Sequence, residues 1–307
     1  DGQPNKNYRT CALLRKLSGT AFKKMKSAYK KDKELLSEIQ NANQSPERFH
    51  LWWLGQSGFL IKWRQDYLLL DPYLSDSLTD KYSTTDKPHI RITEQTVNPK
   101  ELNFVNIATS SHNHTDHLDA LTLLSINESS PGLRLLLPKA NIQFANERLG
   151  NDSGIKLIGI KENEPISIGN FKIDGIAAAH NEVERDNEGS PIYMGFIIHF
   201  GEWTIYHSGD TLWHNQLTAS LINQSVDVAI VPINGNDSSR RVAGNLNGTE
   251  AAALSKAINA KIAIPHHFDM FEFNTASPEQ FTKACERLNQ PFCVLQNGQG
   301  WCSSALE

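Results

Sequence analysis

Two textures of apolar and polar positions divide the chain. Over 9–40, Leu13, Leu14, Leu17, Phe22, Met25, Tyr29, Leu35, Leu36 and Ile39 recur at helical spacing with a break at Ser18-Gly19, which predicts two helices. Beyond Pro46, short apolar runs bounded by turn residues predict strands at 51–54, 59–63 and 67–70; a further strand at 104–109 follows a polar stretch over 75–100. Helical patterns at 118–126 and 141–149 flank a strand at 133–137, and strands follow near 155–158, 171–177, 193–200 and 203–206. The remainder predicts helix 212–222, strand 226–231, helix 249–257, strand 261–264, helix 278–288 and strand 292–295. Runs of strands followed by helices imply a layered α/β domain with mixed sheets and not a regular Rossmann alternation.

With 307 residues, 39% of them hydrophobic, the chain can bury one large core or two small ones. No apolar run approaches the roughly 20 residues of a membrane-spanning helix, so an integral membrane protein is excluded, and no stretch resembles a secretory signal. The sequence starts at Asp1, which leaves processing of a preceding segment open. Four cysteines, Cys11, Cys285, Cys293 and Cys302, form no C-x-x-C pair and no disulfide framework, and a reducing cytoplasm is expected. The net charge of −4 hides an asymmetry: residues 1–33 carry ten cationic and two acidic side chains, the rest twenty and thirty-two. An acidic body of this kind does not predict a nucleic-acid binder, since phosphate contacts call for clustered cations. The basic segment has two readings: a patch for anionic lipid or RNA, or a solvated helix face packed on the domain or on a second subunit.

The densest chemistry lies in Ser110-Ser111-His112-Asn113-His114-Thr115-Asp116-His117-Leu118-Asp119, directly after the apolar run 104–109. Three imidazoles and a carboxylate in six residues, where a strand gives way to a loop, can aim several donors at one cavity. Such a set suits a borderline or hard divalent ion and contains no thiolate.

His112-x-His114-x-Asp116-His117 resembles the H-x-H-x-D-H signature of the metallo-β-lactamase fold superfamily. Leu51 to Leu60 (LWWLGQSGFL), Leu70-Asp71-Pro72-Tyr73-Leu74-Ser75-Asp76, Tyr206-His207-Ser208-Gly209-Asp210-Thr211, Val231 to Asp237 (VPINGND) and Ile264 to Phe271 (IPHHFDMF) follow in the expected order. Together they resemble the L-ascorbate-6-phosphate lactonase-like branch, over 51 to about 295. The resemblance implies a four-layer αββα sandwich over 48–307, with 1–47 as a basic helical extension. It also implies two divalent ions, zinc or manganese with iron as a further option. One would be held by His112, His114 and His180, the other by Asp116, His117 and His267, with Asp210 between them; His266 competes with His267. Two such ions about 3.5 to 4 Å apart can share a water, activate it as hydroxide and neutralise charge on an attacked carbonyl or phosphoryl oxygen. Asp116 would orient that hydroxide. Asp71 and Asp119 are expected to steady ligand imidazoles, or else to cap a turn or the following helix.

Substrate contacts are expected from Asn234, Asp237, Arg240, Arg241 and Asn245, in a polar loop whose guanidiniums suit a phosphate or carboxylate; a surface loop is the alternative. Asn236 stands where the lactonase-like pattern often has arginine, which puts a phosphorylated sugar in doubt. His207 and His214 flank the Asp210 turn, and one of them could protonate a leaving group; packing is the expected role of His207. Trp52, Trp53 and Trp63 are expected in the core. Residues 75–100, with Tyr82, Pro88, His89 and Pro99, are either a lid or a disordered loop. The expected activity is metal-dependent hydrolysis of a small polar ester, lactone or phosphoester, the substrate being anionic or polar. The alternatives are a phosphodiesterase acting on a nucleotide or phospholipid-like diester, and a non-catalytic metal-binding or interaction module. The amino-terminal helices offer a route to a homo-oligomer.

Overall fold

The computed structural model describes residues 25–240 and 244–307. Two sheets face each other. The first has seven strands in the order β13-β1-β2-β3-β4-β5-β6: β1 (His50–Gly55), β2 (Gly58–Trp63), β3 (Asp66–Leu70), β4 (Ile107–Thr109), β5 (Arg134–Pro138), β6 (Lys156–Ile160) and β13 (Gly300–Cys302). The second has six, β12-β11-β10-β9-β8-β7, built from β7 (Ile166–Ile168), β8 (Phe171–Ala177), β9 (Met194–Phe200), β10 (Trp203–His207), β11 (Val228–Pro232) and β12 (Ile262–His266). In each sheet antiparallel hairpins give way to parallel pairs, β3 to β6 in one and β10 to β12 in the other.

Strands buried on both faces explain the continuous apolar runs. Trp53, Phe59, Leu68 and Ile107 of the first sheet meet Phe196, Ile198, Ile205 and Ile230 of the second in one core between the sheets. Trp52, Leu60, Leu69 and Leu135 face the other way, into a second core covered by α1 (Asp32–Asn41), α3 (Ala120–Ser129) and α4 (Ile142–Leu149). α6 (Gly248–Ala257) and α7 (Glu279–Leu288) cover the far side of the second sheet through Ala251, Leu254 and Phe281. The layers therefore run helix, sheet, sheet, helix, the expected αββα sandwich. The three tryptophans are buried as expected, Trp52 and Trp53 at 1% exposure.

Three elements differ from expectation. The run at 292–295 forms only an isolated bridge, Phe292 to Ala263, while Gly300–Cys302 supplies the edge strand beside β1. The helix expected over 212–222 shortens to α5 (Leu217–Leu221), because Leu212 N–H donates to the Ala179 carbonyl and His214 Nε2 contacts the Ala177 carbonyl, holding the chain extended. Of the two amino-terminal helices, the first lies outside the described residues, and the second forms only over its carboxyl-terminal part as α1; 25–31, with Met25 and Tyr29 of the helical pattern, are not helical, because Lys26 N–H and Tyr29 N–H donate to the Ile92 and Asn297 carbonyls instead of to a helix of their own. The stretch over 75–100 carries α2 (Ser77–Lys81) at its start and a short 3-10 turn that begins at Pro99, with turns and isolated bridges between.

Candidate metal centre

The parallel strands end on one edge of the sandwich, and the loops leaving those ends carry the polar residues. β4 releases the His112 to His117 loop, β10 the turn with Asp210, β12 the pair His266-His267, and the antiparallel β8 leads into His180. Gly209 makes the β10 turn at φ +57°, where a Cβ would meet Ser111 Cβ at 2.6 Å and the Met194 carbonyl at 2.7 Å. The loop therefore lies directly on the His112 segment. Asp71, Gln56 and His267 have φ of 38°, 51° and 62°, a left-handed conformation uncommon for residues other than glycine, and three of the eleven non-glycine residues with positive φ among those described thus lie at this site.

Three triads of potential ligand atoms result, each with its atoms within 4.8 Å of one another: His112, His114 and His180; His112, His117 and Asp210; and Asp116, His117 and His267. Asp210 stands between the halves, Oδ1 at 3.4 Å from His117 Nε2 and Oδ2 at 3.2 Å from His267 Nε2. All seven side chains expected around the two ions are thus neighbours. His266 points elsewhere, Nδ1 at 3.1 Å from Ser57 Oγ and Nε2 at 3.4 Å from Ser208 Oγ.

The residues present fit a cation pair. His112 Nε2 and His180 Nδ1 are buried with no hydrogen-bond partner, and His117 Nε2 and Asp210 Oδ1 have only their long 3.4 Å contact with each other, a costly state for polar atoms unless something else satisfies them. Their electrostatics agree. Burial disfavours the charged form of Asp210, yet His267 and His117 outweigh it and hold the carboxyl well below its usual range. Asp116 is likewise held well below, His117 and His267 overcoming burial. His117 rises well above the usual imidazole range and His267 to about 9, because Asp210 and Asp116 outweigh burial for both. His112 is pushed well down by burial and by His117; His180 is pushed down to about 4, chiefly by burial. Without metal, protons on His117 and His267 stand in for positive charge between the carboxylates.

Supporting contacts explain the local sequence. Asp71 accepts from Ser111 N–H and Thr109 Oγ1 and lies 2.8 Å from His117 Nδ1, which leaves Nε2 free to ligate. Gln56, which the sequence reading left without a role, donates from Nε2 to Asp116 Oδ2 at 2.8 Å and touches His267. Its position in the Gly55-Gln56-Ser57-Gly58 turn was the available signal. Asp119, by contrast, touches no ligand imidazole; it accepts from Ser77 Oγ and Thr122 Oγ1, joining α2 to α3.

A cleft of about 510 Å³ opens over the centre, with Asn234, Arg240 and Asn245 in its wall beside His114, Asp116, His180, Asp210 and His267. Asp237 is exposed and accepts from Ser239 N–H in its own turn, outside this lining. Arg241 lies outside the described residues. His207 packs with Nε2 on the Ser57 carbonyl, and neither it nor His214 lines the cleft. Arg148 does, with Nη1 donating to the carbonyls of Asn113 and Leu118, and a lone arginine on an amphipathic helix gave no sequence signal. The stretch over 75–100 supplies one wall through Leu78, Lys81, Tyr82, Thr85, Lys87 and His89, and Lys87 Nζ reaches across to the Ser239 carbonyl.

Two facing sheets with a His and Asp centre on the loops at one edge define a class, and comparison with known proteins names it. A sequence profile described as the beta-lactamase superfamily domain matches residues 50–267. A metal-dependent hydrolase of the UPF0173 group from Thermoplasma acidophilum is 26% identical over 236 residues, covering 76% of this chain and 90% of that protein. A UPF0173 metal-dependent hydrolase from Desulforamulus reducens is 28% identical, covering 81% and 97%. The crystal structure of the metallo-beta-lactamase fold protein YhfI from Bacillus subtilis superposes with a TM-score of 0.62 at 19% identity, covering 83% and 99%. The chain belongs to the beta-lactamase superfamily domain family and is a metal-dependent hydrolase of the metallo-β-lactamase fold.

Proposed function

We propose that this protein hydrolyses a small anionic ester, lactone or phosphoester, in the manner of the L-ascorbate-6-phosphate lactonase-like enzymes, at a centre of two divalent ions, zinc or manganese. The observation that carries this reading is the set of interlocking triads with unpartnered ligand atoms pointing into them. His112, His114 and His180 would hold one ion, Asp116, His117 and His267 the other, and Asp210 would bridge them. When bound, the pair supplies Lewis acidity and brings the pKa of a shared water toward neutrality.

The chain's own residues supply positioning. Gln56 fixes one oxygen of Asp116, so that its carboxylate is oriented to receive a proton from the attacking solvent molecule. Asp71 sets the tautomer of His117, and the surrounding Thr109 and Ser111 fix Asp71 in turn. Arg240, Lys81, Lys87 and Arg148 line the cleft beside the carboxylates Asp86, Asp116 and Asp210, and supply cationic groups that an anionic substrate can meet. Three unpaired cysteines among the described residues support assignment to a reducing compartment, the cytoplasm.

The test is elemental analysis of the purified chain together with an ester, lactone and phosphodiester panel after loading with zinc or manganese. Two ions per chain, turnover of at least one member and its loss with chelator are expected. Full metal occupancy with no turnover across the panel overturns the reading.

A further inference from the structure

Facing the metal ligands, the cleft has a second wall that the hydrolytic reading leaves without a role. Tyr82 and His89, from the stretch after α2, stack with ring centroids 4.4 Å apart. His89 in turn meets two rings nearly at right angles, Phe271 at 5.1 Å and Phe273 at 4.8 Å. The phenylalanines sit on the loop that follows His267, so the wall is built from two segments, one of which also carries a ligand. Phe271 is the buried member of the group; Tyr82, His89 and Phe273 are half-buried and line the cleft. A packing cluster would turn its rings inward. Here all four line the cavity, a few residues from the chemistry, and although Phe271 and Tyr82 also pack with Tyr73, Leu78 and Met270, three of the four keep part of their surface exposed, where rings attract another ring.

We infer that the substrate carries a planar aromatic group, which seats against Tyr82, His89 and Phe273 while its anionic end faces Arg240 and the metal centre. This inference rests on the hydrolytic reading of the centre for its orientation, and it adds the half of the substrate that the centre does not touch. A ring is favoured over an aliphatic chain because the existing pairs are stacked and edge-on, geometries that give a planar partner about a two- to tenfold advantage per ring pair beyond its buried area.

Binding of inert phosphonates to the full, zinc-loaded chain tests it by calorimetry. Phenylphosphonate is compared with cyclohexylphosphonate, equal in bulk but not planar, and with methylphosphonate. Phenylphosphonate is expected to bind about two- to tenfold more tightly than cyclohexylphosphonate, and methylphosphonate to bind most weakly. Phe273→Leu and Tyr82→Leu, which keep apolar bulk and lose the ring, are each expected to close the gap between phenyl and cyclohexyl with zinc content unaltered; having two variants guards against one that does not fold. Equal affinity for the phenyl and cyclohexyl probes, absence of binding by any probe, or a gap that survives both variants overturns the inference. Matched phenyl and methyl esters separate the two claims. A retained aromatic preference without turnover supports the inference and removes the hydrolase, whereas turnover without preference does the reverse.

Discussion

At the scale of the residue, the proposed metal centre depends on a few polar atoms with one permitted orientation each. Asp71 has both oxygens engaged by donors from Thr109, Ser111 and His117. Asp71→Asn would place an amide N–H₂ among those donors and release the His117 ring. The expected outcome is a 10- to 100-fold loss of affinity for the ion that His117 is proposed to hold, read by competition with a chromogenic chelator, with the far-ultraviolet circular dichroism unchanged. The same residues give metal uptake a pH dependence. His267, raised to about 9, carries its proton in the metal-free centre at neutral pH and must lose it to ligate. Metal binding therefore releases at least one proton below pH 9, and apparent affinity rises about tenfold per pH unit for each proton released until that pKa is passed. Unbuffered titration with zinc, following pH, checks this; no acidification on binding would contradict it. Much of this scale was legible in the sequence, since His112 to His117 are contiguous and the donor types speak for themselves. Arg148 was not, and Gln56 only through its turn, because an amide and a guanidinium acquire a role only through what the fold sets beside them.

At the scale of the element, strand ends do most of the positioning. β4, β10 and β12 stop on one edge of the sandwich, and each delivers its ligand within a few residues of its last ladder bond. The turn after β10 lies directly on the His112 loop. Gly209→Ala would put a methyl group 2.6 Å from Ser111 Cβ, at a φ that disfavours any side chain. A loss of about 1–3 kcal/mol in stability is expected, together with weakened metal binding, because the turn can relax only by moving Asp210 off the His112 loop. Thermal melts with and without zinc test it: the variant should gain less from the metal than the native chain does. Apolar runs gave the long strands and helices, because their burial is continuous. They misplaced the carboxyl-terminal edge, where Phe292 is apolar but only bridges Ala263, while Gly300-Trp301-Cys302 pairs with β1 despite its brevity. Pairing partners distant in sequence decided that contest, and local pattern carries no information about them.

At the scale of the whole molecule, the segment before β1 ties together parts that the sequence reading kept apart. Leu35 and Ile39 of α1 are buried in the outer core with Trp52 and Leu69 of the first sheet. Ahead of the helix, Lys26 N–H donates to the Ile92 carbonyl, Asp32 N–H to the Thr96 carbonyl and Tyr29 N–H to the Asn297 carbonyl. Lys26 Nζ reaches Asp269 Oδ1 at 2.6 Å, two residues beyond His267, although this exposed pair adds little energy by itself. The segment thus crosses the end of the 75–100 stretch and the loop bearing His267, and both of these form walls of the cleft. Removal of residues 1–47 would expose the apolar face of the first sheet and free both loops. Each buried aliphatic side chain lost from such a core costs about 2–5 kcal/mol, so the shortened chain is expected to melt well below the full one. Hydrogen exchange separates the two effects. Faster exchange at Ile92 and Glu94, the latter donating to the Lys26 carbonyl, and around Met270, with β8 and β9 unchanged, is the expected pattern for a segment that braces the cleft. Uniform acceleration across both sheets would instead mark it as a general stabiliser of the fold, and unchanged exchange at those loops would show that the contacts at Lys26 and Asp32 hold nothing in place.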